Sequence, residues 1–374
     1  MKVCLLGLEN LPVLAKEYNN HGIGGEQVQQ TLLARAFIKR GYEVSMVTAD
    51  YGQPDGASWQ GVHVFKAYRP DAGIPVIRFV HPRWTGLWSA LDRANADVYY
   101  TSCAGMQVGL AVMFCRAKGR GLVFRLASDT DADPARLRIR YARDKKLYEY
   151  GIKRADRVLS QHGGQQLLLK QNYGVDSQIA DMLVDPPGKV LSLADRDISV
   201  LWVNNLRDLK RPDLALELAR RLPQRHLHMV GGPQPGLSGL FESFQREAAE
   251  LMNLTFYGRV PYHDVGNFYD RARVFVNTSD IEGFPNSYLQ SWRRGVPVVA
   301  FFEPDGLITQ EGLGYVVGSM EEMTQAVGKL LVNDAEWHAV SARCRRYMDK
   351  HYGDDLILQP YQDAFHFAYN SRVS

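Results

Sequence analysis

The sequence predicts an α/β chain of two doubly wound domains, each a mostly parallel sheet with helices on both faces. Two observations carry this. Short apolar runs alternate with longer amphipathic stretches, the pattern of strand–helix–strand units. The alternation also occurs twice, with Pro186-Pro187-Gly188 as a break between the two series. A length of 374 residues fits two domains at roughly 100–200 residues each and is ample for two buried cores.

Val3–Leu8 reads as a buried strand. Glu26–Arg40 reads as a helix, because Val28, Leu32, Leu33, Ala36 and Phe37 recur at helical spacing, and Gly41 ends it. Glu43–Thr48, Asp97–Thr101, Leu122–Arg125 and Arg157–Ser160 are further strands, with helices over Gln107–Arg116 and Ala142–Lys153. Past the break, Ser199–Val203 is a strand and Pro212–Arg221 a helix with Pro at its start. Leu227–Gly231, Leu254–Tyr257, Val274–Asn277 and Val296–Ala300 are strands, and Phe241–Met252 a helix. The first domain is expected over 1–183 and the second over 188–357, with a cleft between them. The final Pro360–Tyr369 is an aromatic-rich helix with no strand after it. That helix, about 358–374, is expected to cross back to the first domain.

Composition excludes several classes. The chain has 44 Lys and Arg against 41 Asp and Glu, a net charge of +3, whereas a nucleic-acid binder shows a strongly basic domain. Cys4, Cys103, Cys115 and Cys344 form no Cys-x-x-Cys pair, so neither a zinc site nor a disulfide framework is expected, and the cysteines fit a reducing compartment. No run of about 20 apolar residues occurs. Met1–Leu8 reads as a strand and not as a signal peptide. The expected setting is the cytoplasm.

Ligands of open α/β sheets bind at the carboxyl ends of the strands, so the loops there hold the candidates. Gly22-Ile23-Gly24-Gly25-Glu26-Gln27 opens a helix, where glycines admit an anionic group to the backbone and the helix N-terminus offers free N–H donors. The block Asp280-Ile281-Glu282-Gly283-Phe284-Pro285-Asn286-Ser287-Tyr288-Leu289-Gln290 follows a strand and enters a helix that stops at Gly295. Glu282 thus stands at a strand's carboxyl end, and the helix N-terminus near Asn286 is a ready anion site. The stretch from Arg136 to Arg157 is rich in Arg and Lys, as a helix docking on anionic lipid is, although an anionic acceptor or plain solvent also suits it. Trp84, Trp88, Tyr99 and Tyr100 offer a sugar platform or core packing. His21, His63, His81 and His162 show no metal-ligand spacing.

The 280–299 block resembles the signature of retaining glycosyltransferases of the GT-B fold, most closely glycosyltransferase family 4, whose paired glutamates fall at Glu282 and Gln290. Ala155-Asp156-Arg157-Val158, the Pro187-Gly188 turn, Val203–Lys210 and Leu254–Val260 resemble further family segments. The resemblance is densest over about 155–300. It implies two Rossmann-like domains facing across a cleft, the first on the acceptor side and the second binding a nucleotide sugar. Lys210 matches the lysine that grips the donor diphosphate, and Glu282 the catalytic glutamate that addresses the donor sugar. The backbone of Phe284, Pro285, Asn286 and Ser287 would lie against the phosphates. Gly24 and Gly25 match the loop that closes over donor and acceptor. Three positions depart from the pattern. Gln290 replaces the ribose-binding glutamate, and Asn205 the arginine beside the lysine. Near Ala127, where the family carries a histidine, none occurs, which leaves Asp129 or Arg125 to take its place. Asp129-Thr130-Asp131 offers Asp-x-Asp, a metal chelator in the other glycosyltransferase fold, but in a GT-B-like chain it reads as an acidic loop before a Pro134-initiated helix.

The resemblance implies metal-independent transfer of a hexose from a nucleotide sugar to an acceptor hydroxyl with retention, without a cofactor. The acceptor would be a sugar, a lipid-linked or a small molecule in polysaccharide or glycolipid synthesis, met at the inner membrane face through residues 136–157; nucleic acid is not a partner. The competing readings are a degenerate, non-catalytic nucleotide-sugar-binding subunit, which the three departures favour, and a sugar-nucleotide epimerase.

Overall fold

The computed structural model describes residues 1–18, 24–75, 77–185, 187–233, 238–280, 282 and 284–373. The chain divides into two compact units, Met1–Leu183 with Asp354–Ser374, and Val184–Gly353.

The first unit contains β1 (Lys2–Leu6), α1 (Leu11–Leu14), α2 (Gly25–Lys39), β2 (Glu43–Thr48), β3 (Ser58–Trp59), β4 (Val62–Lys66), α3 (Thr85–Ala94), β5 (Val98–Ser102), α4 (Met106–Lys118), β6 (Gly121–Arg125), α5 (Ala142–Ile152), β7 (Arg157–Ser160), α6 (Gly163–Tyr173) and β8 (Gln178–Ile179). The sheet runs β3-β4-β2-β1-β5-β6-β7-β8, and among the described residues only the edge pair β3–β4 is antiparallel. Its central strands are buried on both faces, which is why they read as continuous apolar runs. Val3, Leu5 and Tyr100 face one layer, with Leu33 and Phe37 of α2. Cys4, Leu6 and Tyr99 face the other, with Leu91 of α3 and Phe114 of α4. Tyr99 and Tyr100 are therefore core residues, and Trp84 and Trp88 pack against the second layer.

The second unit contains β9 (Ile198–Val203), α7 (Pro212–Arg221), β10 (Leu227–Val230), α8 (Ser238–Ala249), β11 (Leu254–Phe256), α9 (Tyr262–Arg271), β12 (Ala272–Asn277), α10 (Asn286–Arg293), β13 (Val298–Ala300), α11 (Leu307–Glu311), β14 (Gly314–Val316), α12 (Met320–Val332) and α13 (Asp334–His351). The sheet order is β11-β10-β9-β12-β13-β14, parallel throughout. The order reverses between β9 and β12, so their carboxyl ends form a topological switch point.

The chain then enters α14 (Asp354–Val373), which belongs to the first unit. Leu358, Tyr361, Ala364, Phe365 and Ala368 join the layer of Val3 and Leu5. Gly121 permits this approach, because a Cβ there would come within 2.6 Å of the Ala368 carbonyl oxygen.

Three local expectations need correction. The last helix does not begin at Pro360 but at Asp354, with Pro360 inside it. An interior proline removes one hydrogen bond, yet buried Ile357 and Leu358 continue the apolar stripe upstream, and packing outweighs the loss. No helix starts at Pro134. The chain turns there, with the Ala135 N–H on Asp133 Oδ1 at 2.9 Å and Lys145 Nζ on the Pro134 carbonyl at 2.7 Å, so the basic stretch is helical only from Ala142. The helix expected to reach Met252 ends at Ala249. Asn253 Nδ2 donates to the carbonyls of Ala219, Leu222 and Arg225, and that clasp leaves Met252 96% exposed. Among the described residues no helix is long and apolar enough to cross a membrane.

Candidate functional site

The switch point of the second unit is built by two loops that hold each other. After β9, one 3-10 turn over Asp208–Lys210 precedes α7. After β12 come Thr278, Ser279 and Asp280. Thr278 Oγ1 accepts from Trp202 Nε1 at 2.9 Å and donates to the Lys210 carbonyl at 2.8 Å. The Asp280 N–H donates to the Leu209 carbonyl at 2.9 Å. This knitting fixes Lys210 against the far loop. Lys210 Nζ lies 2.5 Å from Glu282 Oε2, with the two side chains 16% and 12% exposed. Glu282 Oε1 accepts from Ser279 Oγ at 2.7 Å and from Asn277 Nδ2 at 3.5 Å. The carboxylate is thus held on both oxygens while keeping an opening to solvent.

Helix α10 opens immediately after. Phe284 sets its ring edge-on to Trp292 at 6.5 Å, and Pro285 occupies the N-cap without a side-chain cap for the first turn. The positive end of the helix dipole lies at Asn286 and Ser287, beyond the end of β12, where an anion is favoured. Ile281 and Gly283 of the motif lie outside the described residues. Asn205 sits two residues past β9, beside Asn204, whose Nδ2 reaches Ser279 Oγ at 3.3 Å. Arg211 is occupied by Asp213 at 2.8 Å and by Asp280 at 3.5 Å. Among the described residues Gln290 has no contact with the Lys210–Glu282 pair. Its Oε1 accepts from Arg294 Nη1 at 2.6 Å, and buried Arg294 in turn pairs with Asp270 at 2.6 Å.

In the first unit Gly24 is the N-cap of α2 and Gly25 its first residue; Gly22 and Ile23 lie outside the described residues. The second helical residue, Glu26, reaches Arg125 at 3.4 Å, and Arg125 is fully buried at the end of β6. Burial raises the Glu26 pKa against the pull of Arg125. Asp129 follows β6 in a 3-10 turn and accepts from His162 Nε2 at 2.9 Å and Gln165 Nε2 at 3.1 Å. Burial pushes the Asp129 pKa up, but those hydrogen bonds hold it below the ordinary value. Asp131 accepts the Ala127 N–H at 2.9 Å. Its burial drives the pKa to about 7. The two carboxylates of the Asp-x-Asp segment thus have different hydrogen-bond partners. Among the described residues no three His, Cys, Asp or Glu side chains form a metal-binding group.

Sequence reasoning singled out Lys210, Glu282, Asp129 and the glycines. It missed Glu26, His162 and Gln165 as their neighbours. Glu26 directly after Gly24-Gly25 was the available signal; nothing in the sequence joins His162 to Asp129.

Residues 197–333 match the family described as glycosyl transferases group 1, and residues 24–183 match the glycosyl transferase 4-like domain. The O-antigen biosynthesis glycosyltransferase WbnH of Escherichia coli is 28% identical over 156 residues, covering 36% of this chain and 43% of that protein. The D-inositol 3-phosphate glycosyltransferase of Geodermatophilus obscurus is 29% identical over 180 residues, covering 41% and 39%. The chain thus matches less than half the length of these two relatives. Among solved structures, sucrose-phosphate synthase of Thermosynechococcus elongatus superposes with a TM-score of 0.75 at 16% identity, covering all of both chains. HepE of Anabaena, solved with UDP and glucose, gives 0.72 at 14% identity over 98% of this chain and 99% of that one. The fold is GT-B, and each of its two halves matches a glycosyltransferase domain family.

Proposed function

We propose that the chain transfers a hexose from a nucleotide-sugar donor to an acceptor hydroxyl, with retention and without a metal. One observation carries this reading: Lys210 and Glu282 form an ion pair at 2.5 Å at the switch point, next to the N-terminus of α10. Breaking the sugar–phosphate bond places a further negative charge on the leaving diphosphate. Lys210 and the first-turn amides of α10 stabilise it where it develops. With a phosphate on Lys210, Glu282 is free to accept a sugar hydroxyl and orient the anomeric carbon. Departure of the leaving group needs no cofactor. Asp129, held in place by His162, serves on the acceptor side with Gly24 and Gly25.

The uridine diphosphate named with HepE makes UDP-sugars the first donors to try. The O-antigen role named for WbnH points to a surface glycan, with a sugar or lipid-linked acceptor met at the cytoplasmic membrane face. The test is stabilisation of the purified chain by a panel of nucleotide sugars, where a ligand at a hundred times its Kd adds about 2.7 kcal/mol, followed by transfer or donor hydrolysis. A second reading, a non-catalytic donor-binding subunit, draws on Gln290, whose amide oxygen is taken by Arg294. It predicts binding without turnover.

A further inference from the structure

We propose that His226 and His228 form a two-imidazole site for a late first-row divalent cation, Ni(II), Cu(II) or Zn(II), at the amino end of β10. The two residues flank Leu227, the first residue of that strand. Alternation along a strand sets both imidazoles on one face, while Leu227 is buried on the other. The rings lie 4.9 Å apart between centroids, at 60° to each other, and both side chains are half-buried. The strands are parallel, so this pair stands at the opposite end of the sheet from Lys210, which follows the carboxyl end of β9. The proposal therefore does not depend on the transfer reading.

Each ring is oriented through one nitrogen only. His226 Nε2 lies 2.7 Å from Thr255 Oγ1, and His228 Nδ1 lies 2.8 Å from Tyr257 Oη. Both hydroxyls come from β11 and the residue after it, beside β10 in the sheet. The Tyr257 ring also stacks on His228 at 5.7 Å and 16°, and Phe268 of α9 holds it edge-on at 4.8 Å. An imidazole that binds a metal through one nitrogen donates its other N–H to an oxygen, which fixes its tautomer and its direction. The hydroxyls of Thr255 and Tyr257 are such oxygens. That leaves His226 Nδ1 and His228 Nε2. Among the described residues neither has a hydrogen-bond partner, and neither is a buried atom. Neutral imidazole nitrogens suit nickel, copper and zinc and not the hard magnesium ion. Asp197, just before the neighbouring β9, is taken by Arg271 at 2.7 Å, so the protein supplies two nitrogens and water completes the coordination.

The test is equilibrium dialysis of the untagged full chain against Ni(II), with Mg(II) as the hard-ion comparison, followed by thermal denaturation with and without the metal. The variants are His226→Ala, His228→Ala and Tyr257→Phe, with His63→Ala, an exposed histidine of β4, as the control. The unmodified chain is expected to take up one Ni(II) and no Mg(II), and Ni(II) should raise its Tm by mass action. Either histidine variant should lose both the uptake and the Tm shift. Tyr257→Phe keeps the ring but drops the hydroxyl on His228, so its Ni(II) affinity should fall about tenfold. His63→Ala should match the unmodified chain. Two results overturn the proposal: no Ni(II) uptake by the unmodified chain, or uptake that His226→Ala and His228→Ala leave unchanged, which would put the cation elsewhere.

Discussion

Lys210 Nζ meets Glu282 Oε2 at 2.5 Å across loops whose parent strands are neighbours in the sheet but far apart in the chain. Each side chain neutralises the other before any donor arrives. A donor has to replace that pairing with its own phosphate and hydroxyl groups.

Lys210→Ala is expected to lower turnover roughly ten- to a hundredfold, since a charge-assisted contact is worth about 1.5–3 kcal/mol and each 1.36 kcal/mol is about tenfold. Glu282, only 12% exposed, loses its cation, so the free protein should also lose about 1 kcal/mol of stability. Steady-state kinetics and denaturant titration report the two effects. Unchanged diphosphate affinity and unchanged turnover would place the donor elsewhere.

Glu282→Ala should abolish most transfer while nucleoside diphosphate binding, measured by calorimetry, stays within a few-fold. The contrast with Lys210→Ala separates a sugar contact from a phosphate contact. A parallel loss of diphosphate affinity contradicts the assignment of Glu282 to the sugar.

Gln290→Glu puts a carboxylate where Arg294 already bonds at 2.6 Å, so the substitution should fold well. If the ribose is held there, affinity for the nucleoside diphosphate rises about five- to tenfold, the value of roughly 1 kcal/mol. Equal affinities of the two forms exclude Gln290 from the ribose site.

Asp131 has a folded pKa of about 7 against 3.8 for the free side chain. Between those values the folded protein keeps a proton that the unfolded chain has released. The contribution is fully present below the unfolded pKa and is lost as pH rises through the folded one. Asp131→Asn preserves a neutral acceptor for the Ala127 N–H. It should stabilise the protein by roughly 1–3 kcal/mol at pH 8 and by little at pH 4. Thermal denaturation across that range decides it, and a pH-independent difference argues against a titrating Asp131.

Phe365→Ala in α14 removes a fully buried ring and should cost about 3–5 kcal/mol. If the two units melt separately, calorimetry should show the loss in the first unit's transition and none in that of the second.

The site was legible where it is continuous in sequence. The β12–α10–β13 connection lies within one block, with Glu282 at a strand end and Gly295 at a helix end, and Pro212 marks the start of α7. The ion pair itself was not legible, because it depends on β9 lying beside β12, a pairing between strands that are not consecutive. Nor were Glu26 with Arg125, which joins a helix start to a strand end, and Asp129 with His162, which follow the neighbouring strands β6 and β7. β3 and β8 have two residues each, too few to show a period. Met252 misled because its exposure comes from an Asn253 clasp that no hydropathy pattern records.

Helix α14 carries a consequence for the order in which the protein is made. The layer containing Val3, Leu5 and Phe37 is completed by Tyr361 and Phe365, which leave the ribosome only after all of Val184–Gly353. At roughly 5–20 residues per second, that interval is on the order of ten to thirty seconds. During it the second unit is contiguous and free to fold, while the first holds an uncovered apolar face on nascent chain. The first unit is therefore the one that needs shielding during translation, although its strands are the first to emerge.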